Sequence, residues 1–345
     1  MKKVILIVLI ILFLGAVVMG WIFLGPGTGF SAKTEYIYIR SDAANQEAVL
    51  DSIRANNIVS NPSAFSFLAS RLNYWDRIKP GRYEIAKGSS LLSIVRKLRN
   101  GNQDPVKLTI TKLRTKEDFA RLTGNKFEFD SLQMIGFLNN ADSVHKYKTD
   151  TASVLWNVVP DTYSILWNVS PAGVYERLAK ESEKFWTDNR EAKAKALGLS
   201  PRETYILASI IEEETTNHKE KDTIASVYLN RLKKGMPLQA DPTLKFAARN
   251  FALKRIAGPI LQIASPYNTY RNRGLPPGPI STPSKITIDA VLNPAQTPYL
   301  YFVANSRLNG HLFSTTFEEH LQKARGYWQE DRRRVAPDST GTSGG

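Results

Sequence analysis

The hydrophobic pattern opens with an unbroken apolar run from Val4 to Leu24. At about 1.5 Å per residue it spans roughly 31 Å, the thickness of a bilayer core. Lys2 and Lys3 precede it, and the next basic residue is Lys33. The positive-inside rule keeps residues 1–3 in the cytoplasm and the remainder outside, as expected of a single-pass protein of the cytoplasmic (inner) membrane. A cleaved signal peptide is the rival reading, with an apolar stretch of roughly 7–15 residues ending in small ones. Gly15, Ala16 and Gly20 are small, but the run continues through Trp21, Ile22, Phe23 and Leu24, which favours an uncleaved transmembrane helix over 4–24. Either way the bulk of the chain is extracytoplasmic.

Beyond a glycine-rich exit at 25–29, expected to be flexible, the period changes. Glu35–Arg40 is rich in aromatic and β-branched residues and reads as a strand. Helices are expected over 45–55 and 62–72, a short strand over 82–85, and an amphipathic helix over 89–100, where Leu91, Leu92, Ile94, Val95 and Leu98 keep helical spacing up to Gly101. A strand over 106–110 closes a small α+β module, residues 34–110. A connecting subdomain, 111–148, adds helices near 116–122 and 129–138. The larger unit, 149–328, has helices over 200–216 and 219–234. Further on it becomes rich in Pro, Gly, Asn and Thr and reads as long loops, with a core strand over 299–303. Residues 329–345 read as a flexible tail. The expected class is α+β, with an N-terminal transmembrane helix, a small α+β module and a larger α+β domain.

Composition narrows the chemistry. With 345 residues, 42% hydrophobic and 23% charged, the chain can bury a normal core. There is no cysteine, which removes disulfides, thiolate nucleophiles and Cys-ligated metals. The net charge of +14 favours a polyanionic neighbour: nucleic acid, an anionic membrane surface or an acidic wall polymer. The charge is dispersed, and its tightest run, Arg332 to Arg334, lies in the tail. No nucleic-acid motif accompanies it, so it reads as a location signal.

The most informative segment is Glu203 to Thr215. Ile206, Leu207, Ile210 and Ile211 share one helical face, and Glu214 falls in the middle of that stripe. Glu212 falls on the opposite face, expected to be solvated, and Glu213 at the edge. A carboxyl on a buried face is costly to ionise, and a raised carboxyl pKa suits a general acid near neutral pH. Two readings stand: Glu214 is such a group, or the helix ends there and Glu214 emerges into solvent.

Polar groups follow in loops. Asn230 and Arg231 ride the next helix. Gln239, Asp241, Tyr267, Asn268 and Thr269 lie in turn-rich segments, where amides, hydroxyls and aromatic faces suit a sugar, although each also suits an ordinary turn. His218, His311 and His320 lack HExxH spacing and read as structural, so neither metal nor cofactor is expected. Ser209 lacks a GxSxG setting.

Seven segments, in this order, carry a resemblance: Pro160–Tyr163, Ala208–Thr215, Ala225–Leu232, Gly235–Thr243, Tyr267–Tyr270, Gly274–Ile280 and Thr297–Ala304. Together they resemble the YceG-like (MltG) family of endolytic lytic transglycosylases and cover most of 149–328, the YceG-like catalytic domain. The module at 34–110 looks like that family's LysM-like domain. The resemblance implies cleavage of the MurNAc-β-1,4-GlcNAc bond of nascent peptidoglycan strands, leaving 1,6-anhydro ends and terminating elongation. The family's essential glutamate is the last acidic residue of a Glu-Lys-Glu-Thr motif, which places it at Glu214. Glu213 stands where the family usually has Lys, and its extra negative charge is expected to raise the Glu214 pKa further or shift the pH optimum. Asn230, Gln239, Asp241, Tyr267, Asn268 and Thr269 are expected to hold the strand. Peptidoglycan synthases are the implied partners. The alternatives are a non-catalytic peptidoglycan-binding scaffold and a two-carboxylate muramidase pairing Glu214 with Asp241. A third is the pyridoxal-phosphate chemistry of an aminodeoxychorismate lyase, which the membrane anchor disfavours.

Overall fold

The computed structural model describes residues 2–253, 255–305 and 310–335, with side chains through 326. The chain divides into two compact units, one of residues up to 108 with 122–134 and 163–174, the other of 109–121, 135–162 and 175 onward. The segment expected as a separate connector over 111–148 is thus shared between them.

In the first unit, helix α1 (Lys2–Leu24) has a mean hydropathy of 3.1, and none of its apolar window is buried by protein. Such a helix is long and apolar enough to cross a membrane once. Strand β1 (Thr34–Ile39) pairs antiparallel with β2 (Gly81–Ala86), Ile37 opposite Tyr83. Helices α2 (Gln46–Ala55), α3 (Pro62–Arg71) and α4 (Leu91–Asn100) enclose Ile37, Ile39, Val49, Phe65, Tyr83 and Val95, all fully buried. The expected starts of these helices hold because each has a capping side chain. Asn45 accepts from the Ala48 amide (2.9 Å), Asn61 from Ala64 (2.9 Å) and Ser90 from Ser93 (3.2 Å). Each cap contributes about 1 kcal/mol.

The glycine-rich exit is hydrogen-bonded to the neighbouring backbone. Gly27 N donates to Ser89 O (3.0 Å), Gly29 N to Ile58 O (3.2 Å), and Thr28 bridges Val59. A Cβ on Gly29 would lie 2.7 Å from Asn57 Oδ1, so only glycine lets the chain run this close. Strand β3 (Val106–Thr109) pairs with β4 (Thr162–Ile165), which draws residues 163–174 into this unit.

Between β3 and β4 run α5 (Lys116–Gly124), α6 (Ser131–Asn139) and α7 (Ala141–His145), and α8 (Pro171–Phe185) and α9 (Asp188–Ala196) follow. The second unit is built around α10 (Pro201–Glu214). Ser200 and Glu203 form a reciprocal capping box, and Pro201 occupies the first turn, so the helix starts where its sequence says. Helices α11 (Lys221–Lys233), α12 (Asp241–Ala247) and α13 (Lys285–Leu292) pack around it. Consequently α10 is buried on all sides from Thr204 to Ile211, not along a single stripe. Both α12 and α13 lie where the sequence reads as loop. They are only two turns long, too short for periodicity to declare itself.

Strands β5 (Tyr301–Asn305) and β6 (Gly310–Ser314) form an antiparallel hairpin, Ala304 opposite His311, against α14 (Phe317–Val335). The expected strand is therefore displaced by two residues. Helix α14 runs to Val335, so the segment expected as a tail from 329 begins helically. Residues 336–345 lie outside the described residues.

Candidate active site

Helix α10 ends at Glu214, and Thr215, in extended conformation, caps it. The end of the helix does not release Glu214 into solvent. Its carboxyl lies on a cavity of about 560 Å³ in the second unit, lined also by Lys112, Arg114, Lys245, Phe251 and His311. Tyr228, fully buried on α11, donates its hydroxyl to Glu214 Oε1 at 2.5 Å. That leaves Oε2 for a transferable proton. The side chain keeps partial exposure to the cavity, yet the protein packed around it withdraws the carboxyl from bulk water. Burial pushes its pKa up to about 7, and the Asp241 charge adds to this, while the Tyr228 hydrogen bond and the Lys245 and Arg231 charges pull the other way. Near neutral pH such a group both gives and takes protons.

Glu212 differs from its expected solvated position. Because α13 covers the opposite face of α10, the carboxylate is enclosed. It accepts from Lys221 Nζ (3.0 Å), Ser284 Oγ (3.0 Å) and Thr287 Oγ1. Burial pushes its pKa up, but the bonds from Thr287 and Lys221 outweigh that and hold it below the usual carboxylate range. Lys221 itself is 1% exposed, so the pair is an internal ion pair.

Nor does Glu213 burden Glu214 as expected. Lys112 Nζ lies 2.8 Å and Arg114 Nη2 3.0 Å from its carboxylate. Two cations compensate one anion, and the carboxylate charge that raises Glu214 is that of Asp241.

The residues expected to hold a strand are scattered in role, and none of the six lines this cavity. Asn230 Nδ2 donates to the carbonyls of Thr297 (2.8 Å) and Tyr299 (3.0 Å). Asn268, fully buried, donates to Leu261 O (3.0 Å) and Ile263 O (2.9 Å). Thr269 Oγ1 accepts from the Ala240 amide (3.0 Å) and meets Thr243 Oγ1 at 2.9 Å. These three brace loops, the ordinary fate of turn-forming polar residues. The Tyr267 ring packs on Phe246, centroids 4.7 Å apart. Gln239 and Asp241 are exposed, and Tyr270 donates to Asp241 at 2.5 Å. Gln239 has φ +52°, a left-handed conformation that costs a non-glycine residue about 1 kcal/mol.

Sequence reasoning missed Tyr228, Lys112, Arg114 and Lys245. Tyr228 carried a weak signal, a hydroxyl on the apolar face of α11 that needs a buried partner. The others reach the site from distant segments and left none.

The sequence model of the YceG-like family matches residues 37–326. The chain is similar to a Bacillus subtilis protein named endolytic murein transglycosylase, 30% identical over 323 residues, 89% of this chain and 88% of that protein. It is also similar to a Streptococcus pneumoniae protein of the same name, 27% identical over 308 residues, 81% of this chain and 56% of that one. The chain thus spans little more than half of the pneumococcal protein. A crystal structure of a YceG-like protein from Listeria monocytogenes aligns with a TM-score of 0.56 at 27% identity, over 85% of this chain and 99% of that one.

Proposed function

The chain belongs to the YceG-like family, and on that premise we propose that it is a membrane-anchored endolytic transglycosylase that cuts peptidoglycan glycan strands with Glu214 as its acid/base. The observation that carries this reading is the Glu214 carboxyl, raised to about 7 and open to a cavity. In the proposed reaction Glu214 gives its proton to the glycosidic oxygen between N-acetylmuramic acid and N-acetylglucosamine. As the ionised carboxylate it then takes the proton of the muramyl C6 hydroxyl, whose oxygen closes on C1. A nucleophile already held on the same ring needs no second carboxylate to activate water, and it gains the advantage of proximity. The product is a 1,6-anhydro end. The muramidase reading would need Asp241 in the cavity, but that carboxylate is exposed and bonded by Tyr270.

Residues 34–110 are read as a LysM-like module, supported by their strand–helix–helix–strand order around the β1–β2 pair. Residues 149–328 are read as the catalytic domain. Lys2 and Lys3 favour a cytoplasmic N-terminus, which puts the cavity on the extracytoplasmic (periplasmic) face, where peptidoglycan synthases would be neighbours.

The test is mass spectrometry of the fragments released from uncrosslinked peptidoglycan by the full-length protein in detergent, beside Glu214→Gln. Anhydro-ended fragments that vanish in the variant are expected. Reducing ends would favour the hydrolase, and cleavage that survives the substitution would remove Glu214 from the chemistry.

A further inference from the structure

Glu220 and His311 face the same cavity as Glu214, and the protonation of a glycosidic oxygen gives them no task. Glu220 is 8% exposed, and three donors engage it: Thr215 Oγ1 at 2.5 Å, the His311 amide at 3.0 Å and His311 Nδ1 at 2.9 Å. Thr215 is the residue after Glu214, so this carboxylate ties the end of α10 to the β5–β6 hairpin. Space for it is provided by Gly310, where a Cβ would lie 2.8 Å from Glu220 Oε2. The imidazole is held from the other side by Phe302, edge to face with centroids 5.1 Å apart, and Phe302 in turn meets Tyr228 at 5.7 Å. The ring is therefore held by groups that connect to Glu214 at one remove, Glu220 through Thr215 and Phe302 through Tyr228.

A carboxylate only accepts, so in the neutral ring Nδ1 carries the hydrogen and Nε2 keeps its lone pair. Among the described residues no hydrogen bond occupies Nε2. Among the charged groups on the cavity wall, Lys112, Arg114 and Lys245 are donors without accepting capacity, and Glu212 and Glu213 are already engaged, while Thr216 and Asn305 add neutral polar groups. A sugar presents hydroxyl donors that need acceptors.

We propose that His311 is a substrate-contacting residue whose Nε2 accepts a hydrogen bond from a hydroxyl of the sugar bound beside Glu214, and that Glu220 is the positioning residue that sets the imidazole tautomer. The assignment rests on the glycan-cleavage reading. It extends that reading to a second, preorganised recognition group.

The discriminating pair is His311→Asn and His311→Gln, in the full-length protein acting on uncrosslinked glycan strands. Asparagine places its amide near Nδ1 and keeps the Glu220 bond. Glutamine places its amide near Nε2 and keeps the cavity contact. We expect His311→Asn to lower kcat/KM about 10- to 100-fold, the scale of one lost hydrogen bond to substrate, and His311→Gln to retain more activity. Glu220→Gln can donate to Nδ1 and so permit the opposite tautomer; it should lose activity with an unchanged circular dichroism spectrum. Nitrogen-15 NMR of histidine-labelled protein should find Nδ1 protonated and Nε2 bare. His311→Asn within threefold of the wild type, or a wild-type ring protonated at Nε2 instead, would overturn the assignment. Wild-type protein that cleaves no strand would overturn the glycan-cleavage reading separately. The Nε2 signal on titration with an N-acetylglucosamine tetramer would then decide: a shift supports the contact, and an unmoved signal removes it.

Discussion

Glu212 and Glu214 stand two residues apart on one helix, and both are enclosed, yet their surroundings drive them in opposite directions. On the α13 side the carboxylate meets an ammonium and two hydroxyls and stays charged. On the α11 side it meets one tyrosine, with cations only at longer range, and holds its proton to about pH 7. Burial raises both. What separates them is whether an opposite charge is supplied within bonding distance. One region builds stability, and the other stores an unfavourable ionisation that chemistry can use.

The largest break in this comparison should come from Glu214→Gln, with turnover down about 10³-fold or more, measured by fragment release. Next is Glu212→Gln. It leaves Lys221 buried without its charge partner and should cost about 3–5 kcal/mol, read from urea unfolding. A loss below about 1 kcal/mol would mean that Lys221 finds other support.

The pH dependence of stability sharpens the contrast. Glu214 has a folded pKa of about 7 against an unfolded value near the ordinary 4.5, so the folded state binds more protons between them. Its contribution is full below pH 4.5 and is lost as pH rises to 7, at most about 3 kcal/mol and less for its contact with the cavity. Glu214→Gln should therefore be more stable relative to wild type at pH 8 than at pH 4. For Glu212 the folded pKa is lowered, so its contribution is present above 4.5 and lost on acidification.

Smaller effects should appear in the pH–rate profile. Glu214 acts protonated, so activity should fall as pH rises past about 7. Tyr228→Phe removes a bond that lowers the Glu214 pKa, and should move this limb to higher pH with a change in rate below about tenfold at pH 7. Asp241→Asn removes a charge that raises it, and should move the limb to lower pH by the smallest margin, since the exposed charge is screened.

Local features of the molecule were legible in its sequence. The helices expected over 45–55, 62–72, 89–100 and 200–216 form within a residue or two of those bounds, and the spacing of Ile206, Leu207, Ile210 and Ile211 isolates Glu214. A helical wheel assumes that the face away from the stripe meets water. For Glu212 that failed, because Ser284 and Thr287, more than seventy positions away, close over it. The same distance hides the cations on Glu213 and the pairing of Glu220 with His311, 91 residues apart. Asn230, Asn268 and Thr269 show the converse. Their side chains can serve a ligand or a loop, and only the positions of nearby carbonyls and hydroxyls distinguish the two.

The tacked-down exit from α1 has a mechanical meaning. Phe23 at the end of the helix stacks on Phe67 with centroids 6.1 Å apart, and Gly27 to Gly29 are stitched to the neighbouring backbone within a few residues. The residues that follow α1 are thus bonded to the first unit from Gly27 onward. A slack tether lets a domain sample a volume that grows with its length and dilutes it there. With α1 as the membrane anchor proposed above, this joint would keep the first unit in the layer next to the lipid, where its local concentration would be greatest.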